Sequence, residues 1–235
     1  MADSTLLDEE DPDQAGMMDE MCILVDIDDN PIGSASKLDC HRGAGLRHRA
    51  FSVLIFDSNN RLLLQKRASD KITFPGVWAN SCCSHPLDID GEKETENASG
   101  VKNAAVRKME QELGIPTGTI PADNLLYVTR MEYMARMNEV WVEHEIDHIM
   151  VVRADVEVSP NPNEIEDTRW VSKIELEEMA SEHEAGNLVI APWFDLIRVN
   201  LLDNWWDDID EMSNHIDGKI HRFMEERPDR AGLSI

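Results

Sequence analysis

The run Asn80-Ser81-Cys82-Cys83-Ser84-His85-Pro86 places a thiol two positions from an imidazole in a segment bounded by turn-forming residues. A thiol beside an imidazole suits proton transfer, nucleophilic attack or metal ligation. A second run, Trp141-Val142-Glu143-His144-Glu145, puts two carboxylates on one face of a strand, because side chains alternate, and turns His144 to the other. His41 and His48 add two imidazoles upstream. Together these residue types suit a metal site with a thiol beside it.

Periodicity and turn signals predict the elements that must position them. Residues 22–25 read as a strand that ends in a turn at Asp28-Asp29-Asn30-Pro31. Residues 51–56 and 62–65 are apolar runs around a polar 57–61, a hairpin whose second strand runs into Lys66 and Arg67. Residues 88–97 are acidic and read as a surface insertion. Val101, Ala105, Met109 and Leu113 recur every four residues and predict a helix, which Gly114 and Pro116 stop. Residues 127–134 and 140–152 read as longer strands joined by a turn at Arg136-Met137-Asn138. Ser172 caps a helix over 173–183 with Glu175 completing a capping box, Pro192 opens another that includes Trp193 and Leu196, and 207–224 reads as a last one. The order predicts an α+β fold, an α/β/α sandwich with a mixed central sheet and flanking helices. One domain with insertions over 21–225 is expected, after a disordered acidic leader (1–20) and before a C-terminal tail (226–235).

The chain of 235 residues carries a formal net charge of −25, which argues against nucleic acid or an anionic membrane as partner, since both require a concentrated positive surface. Eight of the acidic residues lie in positions 1–20, which hold no Lys or Arg, the opposite of a transit peptide. Four cysteines, at 22, 40, 82 and 83, two of them adjacent, do not make a disulfide framework; a reduced, cytoplasmic setting and a monomer are expected. Asp26, Asp28 and Asn30 have the spacing of the first EF-hand ligands, but Pro31 stands where that loop needs Gly and Lys37 where it needs Glu, so the segment reads as a turn.

The segment Arg107-Lys108-Met109-Glu110-Gln111-Glu112-Leu113-Gly114-Ile115 resembles the helix of the Nudix superfamily, whose hydrolases use glutamates there to hold divalent cations on a diphosphate. Arg107, Glu112, Gly114 and the two apolar positions match; Lys108 and Gln111 replace glutamates. Losing two carboxylates removes ligands for the metals that activate a hydrolytic water. Taken with Phe74-Pro75-Gly76-Val77-Trp78, the Cys-His segment, Trp141 to Glu145 and Pro192-Trp193, the chain resembles the type I isopentenyl diphosphate isomerases across residues 37–206.

That resemblance implies interconversion of isopentenyl and dimethylallyl diphosphate, with a small allylic or homoallylic diphosphate as partner. It assigns proton transfer to Cys83 and Glu145 and a supporting hydroxyl to Tyr133. Trp193 would offer a π face to a tertiary carbocation. It implies an inner Zn²⁺ or Mn²⁺ on His41, His48, His85, Glu143 and Glu145, and Mg²⁺ held on the diphosphate by Glu112. Lys37, Arg67, Lys71 and Lys108 match the diphosphate contacts. Cys82 is expected to pack, and His144 and His148 are left out. Two other readings stay open on the residues alone: a Nudix-type diphosphohydrolase of a nucleotide-like substrate, and a non-catalytic protein stabilised by zinc.

Overall fold

The computed structural model describes residues 6–224. In chain order the elements are α1 (Pro12–Met17), β1 (Met21–Val25), β2 (Pro31–Ser36), α2 (Lys37–Cys40), β3 (His48–Phe56), β4 (Leu62–Arg67), β5 (Trp78–Ala79), β6 (Cys82–Ser84) and α3 (Ser99–Leu113). There follow β7 (Leu126–Arg136), β8 (Val142–Arg153), β9 (Ile165–Val171), α4 (Lys173–Glu184), α5 (Pro192–Ile197), α6 (Asp203–Asp207) and β10 (Ile220–Phe223).

Strand β3 is the axis of a mixed sheet of order β10-β7-β8-β3-β1-β2. One edge of β3 pairs with parallel β8 from end to end. Its other edge is shared: β1 bridges at His48, β6 pairs over Phe51–Val53, and β4 meets Phe56. From there β4 carries β5 and β9 away from the main path.

All nine residues of β3 are buried, because both faces are covered. Leu54 and Phe56 face a core closed by α4, α5 and α6, with Leu176, Trp193, Phe194 and Trp205 in it. Phe51, Val53 and Ile55 face the opposite layer, formed by Val101, Ala105, Met109 and Leu113 of α3. The fold is thus the expected α/β/α sandwich.

Two glycines are demanded by contact. A Cβ at Gly100 would stand 2.4 Å from the Glu92 carbonyl, and one at Gly114, which closes α3 at φ 65°, 2.3 Å from that of Ser159. The capping box at Ser172 and Glu175 forms as read.

Other expectations are corrected. The leader is not structureless: Asp11 caps α1, Pro12 opens it, and Gln14 and Met18 are buried. In place of a helix over 207–224, α6 ends at Asp207, a tight 3-10 stretch covers Ile209–His215, and Ile220–Phe223 returns as β10, parallel to β7. The insertion at 88–97 is mostly exposed, yet Glu92 is buried and pairs with Arg107 at 2.6 Å. The tail over 226–235 lies outside the described residues.

Candidate active site

Glu145 sits where three strands bring side chains to one face. In register it lies opposite His48 on β3 and opposite Tyr133 on β7. Paired residues share a face, so all three side chains meet. His85 arrives at the end of β6, whose Cys83 pairs with Ser52 of β3, and His41 caps the short α2 that begins at Lys37.

Glu145 Oε1 lies 2.9 Å from His85 Nε2, 3.4 Å from His48 Nε2 and 3.7 Å from His41 Nε2. The four donor atoms lie within 4.8 Å of one another. Each of two rings is fixed from behind: His41 Nδ1 donates to the Lys37 carbonyl at 2.8 Å, and His48 Nδ1 to that of Leu46 at 2.7 Å. That tautomer leaves each Nε2 a lone pair, and both Nε2 atoms are buried without a hydrogen-bond partner. Orphaned lone pairs aimed at one carboxylate, with ring N–H groups anchored on carbonyls, are what a divalent metal requires. The residues fit one.

Burial pushes His41 down to about 4 and His85 well below the usual imidazole range, which keeps both rings neutral. It opposes charge on His48 too, but the Glu145 carboxylate lifts that ring to about 9, so His48 would offer its lone pair to an ion by giving up that proton. Burial alone would raise Glu145; the three imidazoles gathered on its Oε1, His85 foremost, hold it well below the carboxylate range instead. Glu143 stands outside the four-donor group. Its Oε2 lies 3.1 Å from the Tyr133 hydroxyl, and burial followed by the charge of Glu145 raises it to about 8. Tyr133 Oη is closer to Glu145, at 2.6 Å from Oε2.

The cleft beside this group is lined by Cys83, His85, Tyr133, Glu143, Glu145 and Trp193, together with Lys37, Arg67, Lys71, Lys108 and Glu112. His41 and His48 are fully buried behind it. Burial pushes the Cys83 thiol up to about 12, so it stays protonated. The adjacent thiol differs: Cys82 is fully buried, 3.8 Å from Glu112 Oε2, and faces the α3 core. Neither sulfur belongs to the four-donor group, which removes the reading of a structural zinc on cysteines among the described residues.

Trp193 donates its indole N–H to Asn80 Oδ1 at 3.1 Å, meets Phe74 edge-on and lies 5.5 Å from the Arg67 guanidinium carbon. Arg67 is itself aimed by the Phe74 and Thr73 carbonyls, which accept from Nε at 3.0 Å and Nη2 at 2.8 Å. Lys108 and Glu112 form no ordinary surface pair: both are buried, with Nζ 3.1 Å from Oε1. Arg107 binds Glu92 and reaches the His85 carbonyl at 3.3 Å. His144 and His148 turn away, to Glu132 and Asp29. Asp26 accepts from the backbone of Asp28 and Asn30, a turn as read.

Sequence reasoning missed Asp147, Ser52 and Glu164. Asp147 continues the alternation of Glu143 and Glu145, lines the cleft and accepts from Ser52 Oγ at 2.8 Å; extending the period-two pattern by one step would have found it. Glu164 is a buried partner of Lys71, and no periodic signal marks it.

The sandwich, with α3 carrying a helix-borne carboxylate into a polar cleft, defines a NUDIX-domain protein, and the NUDIX domain family matches residues 46–194. DR0079 from Deinococcus radiodurans shares the fold at a TM-score of 0.53 and 19% identity, covering 77% of this chain and 99% of that one. A NUDIX hydrolase from Alicyclobacillus acidocaldarius does so at 0.52 and 12%, covering 73% and 97%. Full-length relatives are nearer in sequence. Isopentenyl-diphosphate Delta-isomerase 1 of Bos taurus is 45% identical over 92% of this chain and 97% of its own length. Isopentenyl-diphosphate delta-isomerase of Schizosaccharomyces pombe is 46% identical over 90% and 94%. The chain belongs to the isopentenyl-diphosphate delta-isomerase family.

Proposed function

We propose that this chain interconverts isopentenyl and dimethylallyl diphosphate by protonation and deprotonation through a tertiary carbocation, supplying isoprenoid precursors. The observation that carries the reading is one cleft lined by a protonated thiol, Cys83, an ionised carboxylate, Glu145, and a group of cations able to bind a diphosphate. In the direction of dimethylallyl diphosphate, Cys83 gives its proton to the terminal alkene carbon, whose π electrons form the new C–H bond and leave the cation at the tertiary carbon. Glu145 then takes a proton from the carbon next to the diphosphate-bearing side, and that C–H pair becomes the new double bond. In reverse the two roles exchange.

Tyr133 holds the Glu145 oxygen that faces it and moves a proton with it, and Trp193 presents its ring to the cationic centre, where water would capture the cation. Lys37, Arg67, Lys71 and Lys108 bind the diphosphate, Arg67 through the donors its carbonyl partners leave free. Three imidazoles and a carboxylate at His41, His48, His85 and Glu145, with Glu143 alongside, suit Zn²⁺ or Mn²⁺, and Glu112 suits Mg²⁺ carried by the diphosphate. Bound there, the inner ion supplies charge that keeps Glu145 ionised and oriented, and Mg²⁺ neutralises phosphate charge.

The test is incubation with isopentenyl diphosphate and Mg²⁺ in deuterated water, followed by NMR. Deuterium in a methyl group of dimethylallyl diphosphate is expected. Release of phosphate with no deuterium in the recovered hydrocarbon would overturn the reading in favour of a hydrolase.

Among the described residues, no helix is long and apolar enough to cross a membrane.

A further inference from the structure

We propose that Glu164 is a positioning residue for diphosphate binding, and that helix α1, in the segment read from sequence as a loose acidic leader, is the brace behind it. The inference rests on the reading of Lys71 as a diphosphate contact.

Lys71 lines the cleft but is almost wholly buried, and its Nζ lies 2.5 Å from Glu164 Oε2. Burial, reinforced by nearby Arg67, brings the ammonium down to about 8, and the Glu164 carboxylate opposes that fall. Burial would raise Glu164 in turn, but Lys71 and Lys108 hold it down at about 2. A lysine in such a position stays charged and aimed only while its carboxylate is in place. Glu164 does not reach the cleft wall. It works from behind, and its Oε1 has no hydrogen-bond partner.

The loop that carries Glu164 is tied on two sides. Its carbonyl accepts from Ala68 N at 3.0 Å, which joins it to the turn leading to Lys71. On the other side the neighbouring Asn163 is gripped by α1: Gln14 Nε2 donates to its carbonyl at 2.9 Å and to Oδ1 at 2.7 Å, and Asn163 Nδ2 donates to Asp11 Oδ1 at 2.8 Å.

The same N-terminal segment reaches the other cation-bearing loops. Met18 packs with Ile72, the residue after Lys71, and with Trp141. The backbone N–H of Lys37 donates to the Glu20 carbonyl at 2.7 Å, and that of Leu38 to Met18 at 3.0 Å. Residues 11–20 thus contact the loop behind Lys71, the residue beside it and the start of α2 at Lys37. An acidic leader serving only solubility would need none of these bonds.

The test is calorimetric binding of inorganic pyrophosphate with Mg²⁺ to the full chain, in Lys71→Met, Glu164→Gln, the double variant and Gln14→Ala, each checked by circular dichroism. Glu164→Gln should weaken pyrophosphate by at least about 30-fold, the lower end of the loss on truncating one partner of a buried charge pair. In the Lys71→Met background it should change affinity by no more than about twofold, since the two residues act as a unit. Gln14→Ala, remote from the cleft, should weaken binding in the same direction by less and raise KM with kcat unchanged. Wild-type affinity in Glu164→Gln, or an equal loss in both backgrounds, would overturn the inference while leaving Lys71 as a contact. If Lys71→Met itself binds pyrophosphate like wild type, the reading beneath it fails.

Discussion

Replacing Tyr133 by Phe removes a single oxygen from the point where two buried carboxylates meet. The hydroxyl lies 2.6 Å from Glu145 Oε2 and 3.1 Å from Glu143 Oε2, and the ring is only 1% exposed, so Phe keeps the packing and deletes the bond alone. A hydrogen bond to a charged group contributes about 1.5–3 kcal/mol. If the bond serves Glu145 during proton removal, that loss appears in the barrier, where each 1.36 kcal/mol is about tenfold, for a fall in kcat of about 10- to 150-fold. The lower part of that range is expected, because Oε1 of the same carboxylate keeps all three imidazole neighbours. Since Tyr133 is not one of the cations proposed to bind the diphosphate, KM should stay within about twofold, as a group acting on the barrier alone requires. The assay is steady-state conversion of isopentenyl diphosphate, with metal content and melting temperature measured on the same samples. A Phe variant with normal metal content and kcat within about twofold of wild type would show that the hydroxyl does not act on Glu145 in the reaction.

Two further outcomes follow from the geometry. Cys83→Ala should abolish turnover while leaving fold and pyrophosphate binding intact, whereas Cys82→Ala, on the α3 side of the sheet, should keep most activity and lose about 1–2 kcal/mol of stability in urea, as core truncations do; the reverse ranking would exchange the roles of the two thiols. Asp29 is buried, and although burial alone would raise it, His148 and Arg49 hold it at about 2 against an ordinary 3.8. A depressed carboxylate stabilises the fold above its unfolded value and loses that contribution as pH falls through about 2, so Asp29→Asn should cost on the order of 2 kcal/mol at pH 6 and flatten the stability profile between pH 4 and 2. Urea midpoints across that range test it, and a parallel offset at every pH would refute the assignment.

What the sequence made legible depended on whether a local pattern carried the information. The four-residue recurrence from Val101 to Leu113 and the stop at Gly114 yielded α3, and the Ser172 and Glu175 pair yielded the start of α4, because helix periodicity and caps are local. Strands β2 and β10 were missed. Neither has a buried residue and both lack apolar alternation, and β10 is held by distant partners, with Arg222 reaching Glu132 across the β7 pairing. Helix α1 was hidden by an acidic composition, although Asp11 before Pro12 is itself a start signal that outranked composition. Within the site, alternation alone placed Glu143 and Glu145 together and His144 apart. That three histidines from α2, β3 and the end of β6 would converge on Glu145 was implied by resemblance, since no spacing in the chain reports a meeting across three elements.

The departures on α3 make physical sense once the charges lining the cleft are compared. Lys108 stands where Nudix hydrolases carry a glutamate, and it is buried with its ammonium on Glu112, so the helix offers one carboxylate already balanced by a cation. Gln111, the other replacement, turns toward Met17 of α1 instead of toward the cleft. A helix so altered lacks the cluster of carboxylates that activates water beside phosphorus. The carboxylates have a counterpart on β8, where Glu143, Glu145 and Asp147 follow one another on a single face and line the same cleft as Cys83. In a chain of net charge −25, the cleft nonetheless gathers four cations, Lys37, Arg67, Lys71 and Lys108, in one lining with its thiol and carboxylates, the combination that an anionic substrate and a proton-transfer reaction would together require.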